Sequence, residues 1–436
     1  DRRQMMIADV LNQLKGRCRW FDVIETFGTT VPVVFRNNRL HSVQEKENSG
    51  FGIRVNIGNR TGFSYTNATG GMPAAADRAV SMARYGDEEL FDLPGQVPEC
   101  AGRYYDEAID SFSVDAEIGL AESAIGRILS ALPGASVDVS VSRSTGGMRL
   151  VNSNGFDGSY TSSLYSAGIS LTWLIDGGSK VDIWEGVSAR SPVDYSALAE
   201  KIAGRAGMAR LERKCPAGKM PVIFTPKASS RILGIVASGL NAKSVWKGIS
   251  PFAGKKGERL FNEKFSLYDD PGLDGSPYNY PFDDEGVVAA TKALIERGRI
   301  VNFVTDLKHA HKLGIPAMGN GSRGYSSLPA PSFSNTSIDP GEDESGCLMK
   351  SIDRGLIVDQ FIGLGQSNTL TGDFSANLDL AFLIEKGEIT GRVKDCMLAD
   401  NLLRLLEGDM AMSRDREMIG SSFMPYILFP SVNYTC

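Results

Sequence analysis

Short strands joined by tight turns are the feature that most constrains how this chain can fold. Apolar and polar residues alternate over Phe51–Ile57 and Val137–Val141, which is the period of a strand with one buried face. Pairs that favour tight turns, such as Asn37-Asn38 and Asn154-Gly155, separate segments of this kind. No regular alternation of strands and helices accompanies them. The pattern therefore predicts antiparallel sheets rather than a doubly wound parallel sheet.

Helical segments lie between the groups of strands. Ile7, Val10, Leu11 and Leu14 fall on one face of a first helix that ends near Gly16. Further helices are predicted at 72–85, 115–132, 195–211, 227–243 and 400–406, the last with Asp400 as its N-cap. Helices and antiparallel strands together predict an α+β fold.

Two breaks in the pattern predict the domain organisation. Residues 87–102 are rich in Pro and Gly, and residues 213–218 (RKCPAG) separate a helix from a strand. We expect an N-terminal α+β domain of helices and β-meander hairpins over 1–212, with lobes at about 1–86 and 103–212. A C-terminal domain rich in antiparallel sheet follows over 216–436.

Composition narrows the class of function. Lys and Arg number 46 against 52 Asp and Glu, a net charge of −6, which argues against a general nucleic-acid binder. The longest apolar stretches are too short to cross a bilayer, so we expect no membrane partner. The six cysteines form no CxxC motif or Cys/His cluster, which favours reduced thiols in a cytoplasmic protein over a structural zinc site.

Asp283, Asp284 and Glu285 form the most suggestive group of ionisable residues. Alternation along a strand would place Asp283 and Glu285 on one face, where they could hold a cation or serve as an acid/base pair. An exposed acidic turn explains the same run equally well.

Other motifs carry less chemistry. Gly319–Gly324 (GNGSRG) fits GxGxxG in letters, but a helix and Pro316 precede it, whereas a dinucleotide site needs a preceding strand. His309 and His311 fall on a predicted helix, where side chains two residues apart diverge; we therefore expect a solvated helix face rather than a metal site. No HExxH motif occurs.

Several motifs in the second half, taken in order, resemble the TldD/PmbA family, whose members are often labelled modulators of DNA gyrase. The segments that carry the resemblance are Pro281–Gly286 (PFDDEG), Leu294–Ile300 (LIERGRI), Leu307–Arg323, Leu328–Thr336 (LPAPSFSNT), Arg354–Ser375 and Phe382–Gly387 (FLIEKG). The first half is similar more loosely, through its early β-meander and Val151–Gly155 (VNSNG).

The resemblance implies a two-domain protein that pairs as a dimer around a central cavity. Its TldD branch is a zinc metallopeptidase of unfolded peptides, with zinc bound by an HExxxH helix and a Cys near the C-terminus. Here the corresponding helix, Arg231–Leu240, has no His or Glu, and Gly234 and Gly239 stand at the two His positions. The tail segment Asp409–Gly420 lacks the Cys. The chain therefore resembles the PmbA branch, also called TldE, and we expect no catalytic residue and no metal in it, with zinc only in a TldD-like partner.

Three functions follow as hypotheses. The first is a non-catalytic subunit of a TldD/TldE-type zinc metallopeptidase complex that degrades or processes unfolded peptides. The second is a stand-alone homodimer that binds peptides or another ligand without peptidase activity. The third is an independent hydrolase that uses Asp283, Asp284 and Glu285. For the first, we expect the peptide cleft to be formed by Gly319, Gly321, Arg323, Gly363, Gly365, Asn368 and Thr369, since glycine allows close backbone approach and neutral polar groups bind a peptide main chain.

Overall fold

Two sheets organise the molecule. The computed structural model describes residues 2–98, 102–175, 178–364, 368 and 370–435. Its first sheet is built from strands between residues 20 and 189, and its second from strands between 212 and 435. Most neighbouring strands are antiparallel and helices pack beside the sheets, so the predicted α+β fold is confirmed.

The first sheet contains seven strands within the described residues, in the order β4-β3-β1-β5-β6-β7, with β2 beside β1. They are β1 (Trp20–Arg36), β2 (Arg39–Val43), β3 (Lys46–Ile57), β4 (Arg60–Thr66), β5 (Ser136–Asn152), β6 (Asp157–Ile175) and β7 (Ser179–Ala189). Every pairing in this sheet is antiparallel. The long strands β1 and β5 join the two predicted lobes into one sheet.

Helices cover the two ends of the first sheet. They are α1 (Arg2–Leu14), α2 (Met72–Met82), α3 (Ala108–Ser111), α4 (Val114–Ala131) and α5 (Ser196–Ala209). Helix α2 packs on β3 and β4 and α1 packs on α2, so that Val10 and Ala76 are buried in one apolar cluster. Helices α4 and α5 bury Ile128 and Ile202 against the other end. Helix α1 buries Ile7, Val10 and Leu14 of the apolar face that its periodicity predicted.

The second sheet is larger and mixed. The remaining strands are β8 (Glu212–Arg213), β9 (Gly218–Phe224), β10 (Leu267–Asp269), β11 (Lys292–Glu296), β12 (Arg299–Ile300), β13 (Gly321–Ser322), β14 (Ala330–Pro331), β15 (Thr336–Ile338), β16 (Arg354–Ile362), β17 (Asp373–Glu385), β18 (Glu388–Val393), β19 (Met397–Asn401), β20 (Ala411–Ile419) and β21 (Ser422–Thr435). All belong to this sheet except β13 and β14, which pair with each other. Three neighbouring pairs are parallel: β9 with β16, β8 with β18, and β15 with β21.

Two hairpins of similar sequence lie in this sheet. Strand β11 turns into β12 through Arg297 and Gly298, and β17 turns into β18 through Lys386 and Gly387. Both central residues of each turn have positive φ, at 46° and 76° in the first and 52° and 78° in the second. This is the backbone of the two-residue turns that match strand twist, so the basic residue shares the left-handed conformation with glycine.

Two helix predictions need correction. The segment expected as one helix over 227–243 forms three short ones, and the other helices of this half are short as well. They are α6 (Pro226–Ile232), α7 (Gly234–Gly239), α8 (Ala242–Trp246), α9 (Leu307–Leu313), α10 (Ser345–Lys350) and α11 (Leu402–Glu407). Asn241 starts α8 because its side chain accepts a hydrogen bond from the N–H of Lys243. Likewise Asn401, not Asp400, is the N-cap of α11.

The cysteines depart from expectation in one respect. Cys18, Cys215 and Cys347 are free thiols, whereas Cys396 is disulfide-bonded. The spacing of cysteines along a sequence does not reveal which of them the fold brings together. No helix within the described ranges is long and apolar enough to span a membrane.

Candidate functional site

The three carboxylates of PFDDEG lie in a buried turn between the two sheets. We call Asp283, Asp284 and Glu285 the carboxylate cluster. They directly follow Phe282, whose backbone forms an isolated antiparallel β-bridge with Val288. Asp283 is 4% exposed and Glu285 is 1% exposed. The exposed acidic turn is therefore excluded, and the cluster lies in a turn rather than on a strand face.

Arg54 joins the cluster to the first sheet. Its Nη1 donates to Glu285 Oε1 at 2.8 Å, and its Nη2 donates to Asp22 Oδ2 at 2.6 Å. All three side chains are at most 2% exposed. The other oxygen of Glu285 accepts the backbone N–H of Leu307, the first residue of α9, at 2.7 Å. One buried cation thus pairs with two carboxylates from distant parts of the chain.

The segment Gly319–Arg323 packs directly against the carboxylate cluster. The N–H of Gly321 donates to Asp283 Oδ2 at 2.7 Å, and the N–H of Arg323 donates to Asp284 Oδ2 at 2.7 Å. A Cβ on Gly321 would lie 2.5 Å from Glu285 Oε2. Glycine is therefore needed at this position to let the backbone approach a carboxylate. The structure brings these two groups of predicted site residues together.

Burial and neighbouring charges shift the pKa values of the carboxylates around Arg54. Burial and the charge of Glu285 raise the pKa of Asp283 well above its ordinary value. Burial raises the pKa of Glu285 in spite of the charge of Arg54. Burial also acts to raise the pKa of Asp22, but the charges of Arg323 and Arg54 together outweigh it and lower that pKa. Desolvation thus dominates at Glu285, which pairs with Arg54 alone among the described residues. It does not dominate at Asp22, which pairs with both Arg54 and Arg323.

The hydrogen bonds leave Asp283 little freedom as an acid or a base. Its Oδ1 accepts the N–H groups of Glu285 and Val287, each at 2.9 Å, and its Oδ2 accepts that of Gly321. Beside it lies a cavity of about 190 Å³ whose lining includes Tyr160 and Asn320. Carboxylates held in this way fix the geometry of a turn more readily than they transfer protons.

The helix that corresponds to the family's zinc helix has no room for a zinc ligand at one key position. A Cβ on Gly239, the last residue of α7, would lie 2.6 Å from Phe252 Cε2 and 3.3 Å from Pro251 Cδ. A Cβ on Gly234 would meet open space. Within the described residues no group of three or more His, Cys, Asp or Glu side chains is placed to hold a metal ion. The residues present at α7 do not fit zinc.

The second predicted cleft segment has other neighbours. Asn368 accepts the N–H of Leu370 at 3.0 Å through its side chain, and its own N–H donates to the carbonyl of Asp373. Gly363 has a φ of +89° and open space beside it. Gly365 and Thr369 lie outside the described residues. These contacts do not lead to Gly319–Arg323.

Asp373 lines a cavity of about 800 Å³ near this turn. Its lining also includes Phe252, Lys255 and Arg404. The cavity therefore adjoins the side chain that packs against Gly239.

Sequence reasoning missed a second buried charge network, centred on Lys227 in α6. Its ammonium lies 2.9 Å from Glu185 Oε1 and 2.7 Å from Asp359 Oδ2, and it donates to the carbonyl of Trp184 at 2.8 Å. Burial lowers the pKa of Lys227 to about 8. No local motif signals this network, because its members come from β7, α6 and β16.

Two local predictions were wrong for a similar reason. His309 does not lie on a solvated helix face: it is buried, with Nδ1 2.6 Å from Asp306 Oδ1 and its ring against Trp246. Arg54 falls on the polar side of its alternating strand, yet that side is covered by the second half of the chain. Alternation shows which residues share a face, but not what packs on it.

Comparisons with known proteins agree with the motifs. The PmbA/TldA metallopeptidase domain 1 matches residues 21–83, the central domain matches residues 107–210, and the C-terminal domain matches residues 217–435. An uncharacterized protein of Methanocaldococcus jannaschii is 27% identical over 405 residues, which cover 92% of each chain. A protein of Methanothermobacter thermautotrophicus named a metalloprotease is 25% identical over 415 residues, which cover 92% of this chain and 89% of that one.

A solved structure shares the fold. The crystal structure of TldE from Thermococcus kodakarensis superimposes with a TM-score of 0.92 at 22% identity, covering 99% of this chain and 100% of that one. The three domain matches follow one another along most of the sequence. This chain therefore belongs to the PmbA/TldD metallopeptidase family.

Proposed function

We propose that this chain is the metal-free subunit of a TldD/TldE-type zinc metallopeptidase complex that degrades or processes unfolded peptides. The observation that carries the proposal is the packing of Phe252 against Gly239. It fills the space that a second ligand on this helix would need. Zinc then belongs to a partner subunit that carries HExxxH.

The missing ligands limit what this chain contributes. A zinc peptidase needs ligands that hold the metal and a base beside it, and Arg231–Leu240 supplies no His or Glu. The role proposed for this chain is therefore to shape and close the peptide chamber. The buried network of Arg54 and Glu285 supports that role because it fixes the two halves of the chain together.

Co-expression with an HExxxH-bearing family member from the same genome tests the proposal. We expect a stable heterodimer in size-exclusion chromatography with light scattering, about one zinc per heterodimer, and cleavage of an unstructured peptide that chelation abolishes. The partner with its HExxxH glutamate changed to Gln is the control, and it should assemble without cleaving. Tightly bound zinc in this chain by itself, or separate elution of the two chains, would contradict the proposal. Separate elution with peptide binding would favour the stand-alone homodimer.

We also propose that the segment 363–375 faces the chamber between the subunits. Asn368→Ala and Gly365→Val should each reduce cleavage by the reconstituted pair without preventing assembly. Thermal unfolding of each variant separates this effect from loss of fold. Full cleavage by both variants would refute the placement.

A further inference from the structure

Another cavity, remote from α7 in sequence, lies over one face of the first sheet. Its volume is about 560 Å³, within the range of small-ligand sites. Residues of β1, β3, β5 and β6 form its floor in three cross-strand rows. The rows are Thr26 with Gly50, Met148 and Tyr160; Gly28 with Asn48, Gly146 and Ser162; and Thr30 with Lys46, Ser144 and Leu164. We call this surface the sheet-face groove.

The middle of the groove has no side chains over its two central strands. Gly28 pairs directly with Gly146, and a Cβ on Gly146 would lie 2.5 Å from the carbonyl oxygen of Phe27. Asn48 and Ser162 flank this glycine pair, and Thr30 Oγ1 lies 3.0 Å from Ser144 Oγ. The floor therefore offers neutral donors and acceptors beside an open strip, which suits a peptide main chain of any sequence.

An acidic side chain lies at one end of the groove. Asp284 lines this cavity and also lines the 190 Å³ cavity beside Tyr160, and Tyr160 lies with Met148 in the row of Thr26. Asp284 Oδ2 already accepts the N–H of Arg323 at 2.7 Å, which fixes the carboxylate in place. The ring of Tyr325 closes this end, since a Cβ on Gly50 would lie 2.4 Å from it.

The other end carries a positive charge. Lys46 lines the cavity in the row of Thr30, is exposed, and forms no ion pair among those the described residues show. The rows of Thr26 and Thr30 are four residues apart along β1, which corresponds to about 13 Å. An extended peptide of about four residues has its free amino and carboxyl groups at this separation.

We propose that the sheet-face groove binds a short peptide by its two free ends, with the ammonium group at Asp284 and the carboxylate at Lys46. The ligand class is the free oligopeptide, either a short substrate or a cleavage product. The inference rests on the proposed role in peptide processing, but it concerns binding by this chain without a partner. It is carried by opposite charges at the two ends of a neutral groove whose length matches the ligand.

Calorimetric titration of the isolated full chain tests the proposal. The probes are tetra-alanine with both ends free, its N-acetyl form, its C-terminal amide, and the doubly blocked form. We expect the free peptide to bind best and each blocked end to weaken binding by about threefold to tenfold. Equal affinity for the free and doubly blocked forms, or no saturable binding at millimolar peptide, would overturn the proposal.

Variants assign each end of the peptide to its residue. Lys46→Met should weaken binding of the free peptide. The variant should then bind the free peptide and its C-terminal amide with equal affinity. Asp284→Asn should bind the free peptide and its N-acetyl form with equal affinity. Glu47→Gln is the matched control: it changes a charge on the opposite face of the same strand, and we expect no change with any probe. Because Lys46 is exposed, Lys46→Met keeps the test valid even if Asp284→Asn unfolds.

Other outcomes have defined meanings. If Lys46→Met leaves the preference for a free carboxylate intact, the assignment of that end is wrong. If Lys46→Glu changes the oligomeric state and no peptide binds, the groove is a subunit interface and the proposal falls. This chain could assemble with an HExxxH partner and support cleavage, yet fail to bind peptide by itself. That result would contradict this inference but not the proposed function.

Discussion

The guanidinium of Arg54 lies 2.8 Å from the carboxylate of Glu285, although 231 residues separate them. The rings of Trp20 and Phe91 lie 5.2 Å and 5.7 Å from the same guanidinium. This buried contact joins the first sheet to the turn that carries the carboxylate cluster. It explains how the carboxylate of Glu285 can lie inside the protein, where an isolated charge would be unstable.

Replacing Arg54 with Met should strongly destabilise the fold, because it leaves Asp22 and Glu285 buried without their shared cation. We expect a loss of about 3–5 kcal/mol in the free energy of unfolding, measured by urea denaturation. Arg39→Met, at an exposed arginine of β2, is the control and should change it by less than about 0.5 kcal/mol. A loss below about 1 kcal/mol for Arg54→Met would show that the network contributes little.

Asp283 should make stability depend on pH above about 4. Its pKa is raised in the folded protein above its ordinary value of 3.8, so the folded state binds more protons than the unfolded state in that window. The free energy of unfolding should therefore fall as pH rises, by up to about 1.4 kcal/mol per pH unit. Asp283→Asn should flatten this slope in urea titrations, whereas Asp274→Asn, at an exposed aspartate, should not. An unchanged slope in Asp283→Asn would contradict the assignment.

Replacing each of the two glycines of α7 with alanine should have opposite effects on the free energy of unfolding. Gly239→Ala places a Cβ 2.6 Å from the buried ring of Phe252 and should cost about 1–3 kcal/mol. Gly234→Ala meets open space and should gain about 0.5–1 kcal/mol, because alanine loses less backbone entropy in a helix. Thermal and urea unfolding measure both. Equal effects would mean that Phe252 moves aside easily, which would weaken the argument against a ligand at Gly239.

Lys227 should make the protein relatively more stable at alkaline pH. Its pKa falls from an ordinary 10.5 to about 8 in the folded state, so between these values the unfolded state binds more protons. Relative to Lys227→Met, the wild type should gain about 3 kcal/mol as pH rises through this window. Lys219→Met, at an exposed lysine of β9, should show no such gain over the same range. A difference between wild type and Lys227→Met that is independent of pH would show that Lys227 does not titrate there.

The hairpins and most helices could be predicted from the sequence because their determinants are local. Asn154-Gly155 and Arg297-Gly298 lie in turns in which Gly155 and Gly298 have the positive φ that glycine allows. The prediction of one helix over 227–243 was wrong near its C-terminal end because Asn241 caps a new helix there. The three parallel strand pairs could not be foreseen, since their partners are far apart in sequence.

By itself, the sequence determined the strand and turn pattern, the family, and the lack of His and Glu in Arg231–Leu240. These follow from residue types at fixed local spacing. Only the tertiary structure decided that Arg54 is buried against Glu285, that Phe252 fills the space beside Gly239, and that Lys46 and Asp284 lie at opposite ends of one groove. The physical reason is that packing between distant segments determines which polar faces lose contact with water, and no local pattern records that packing.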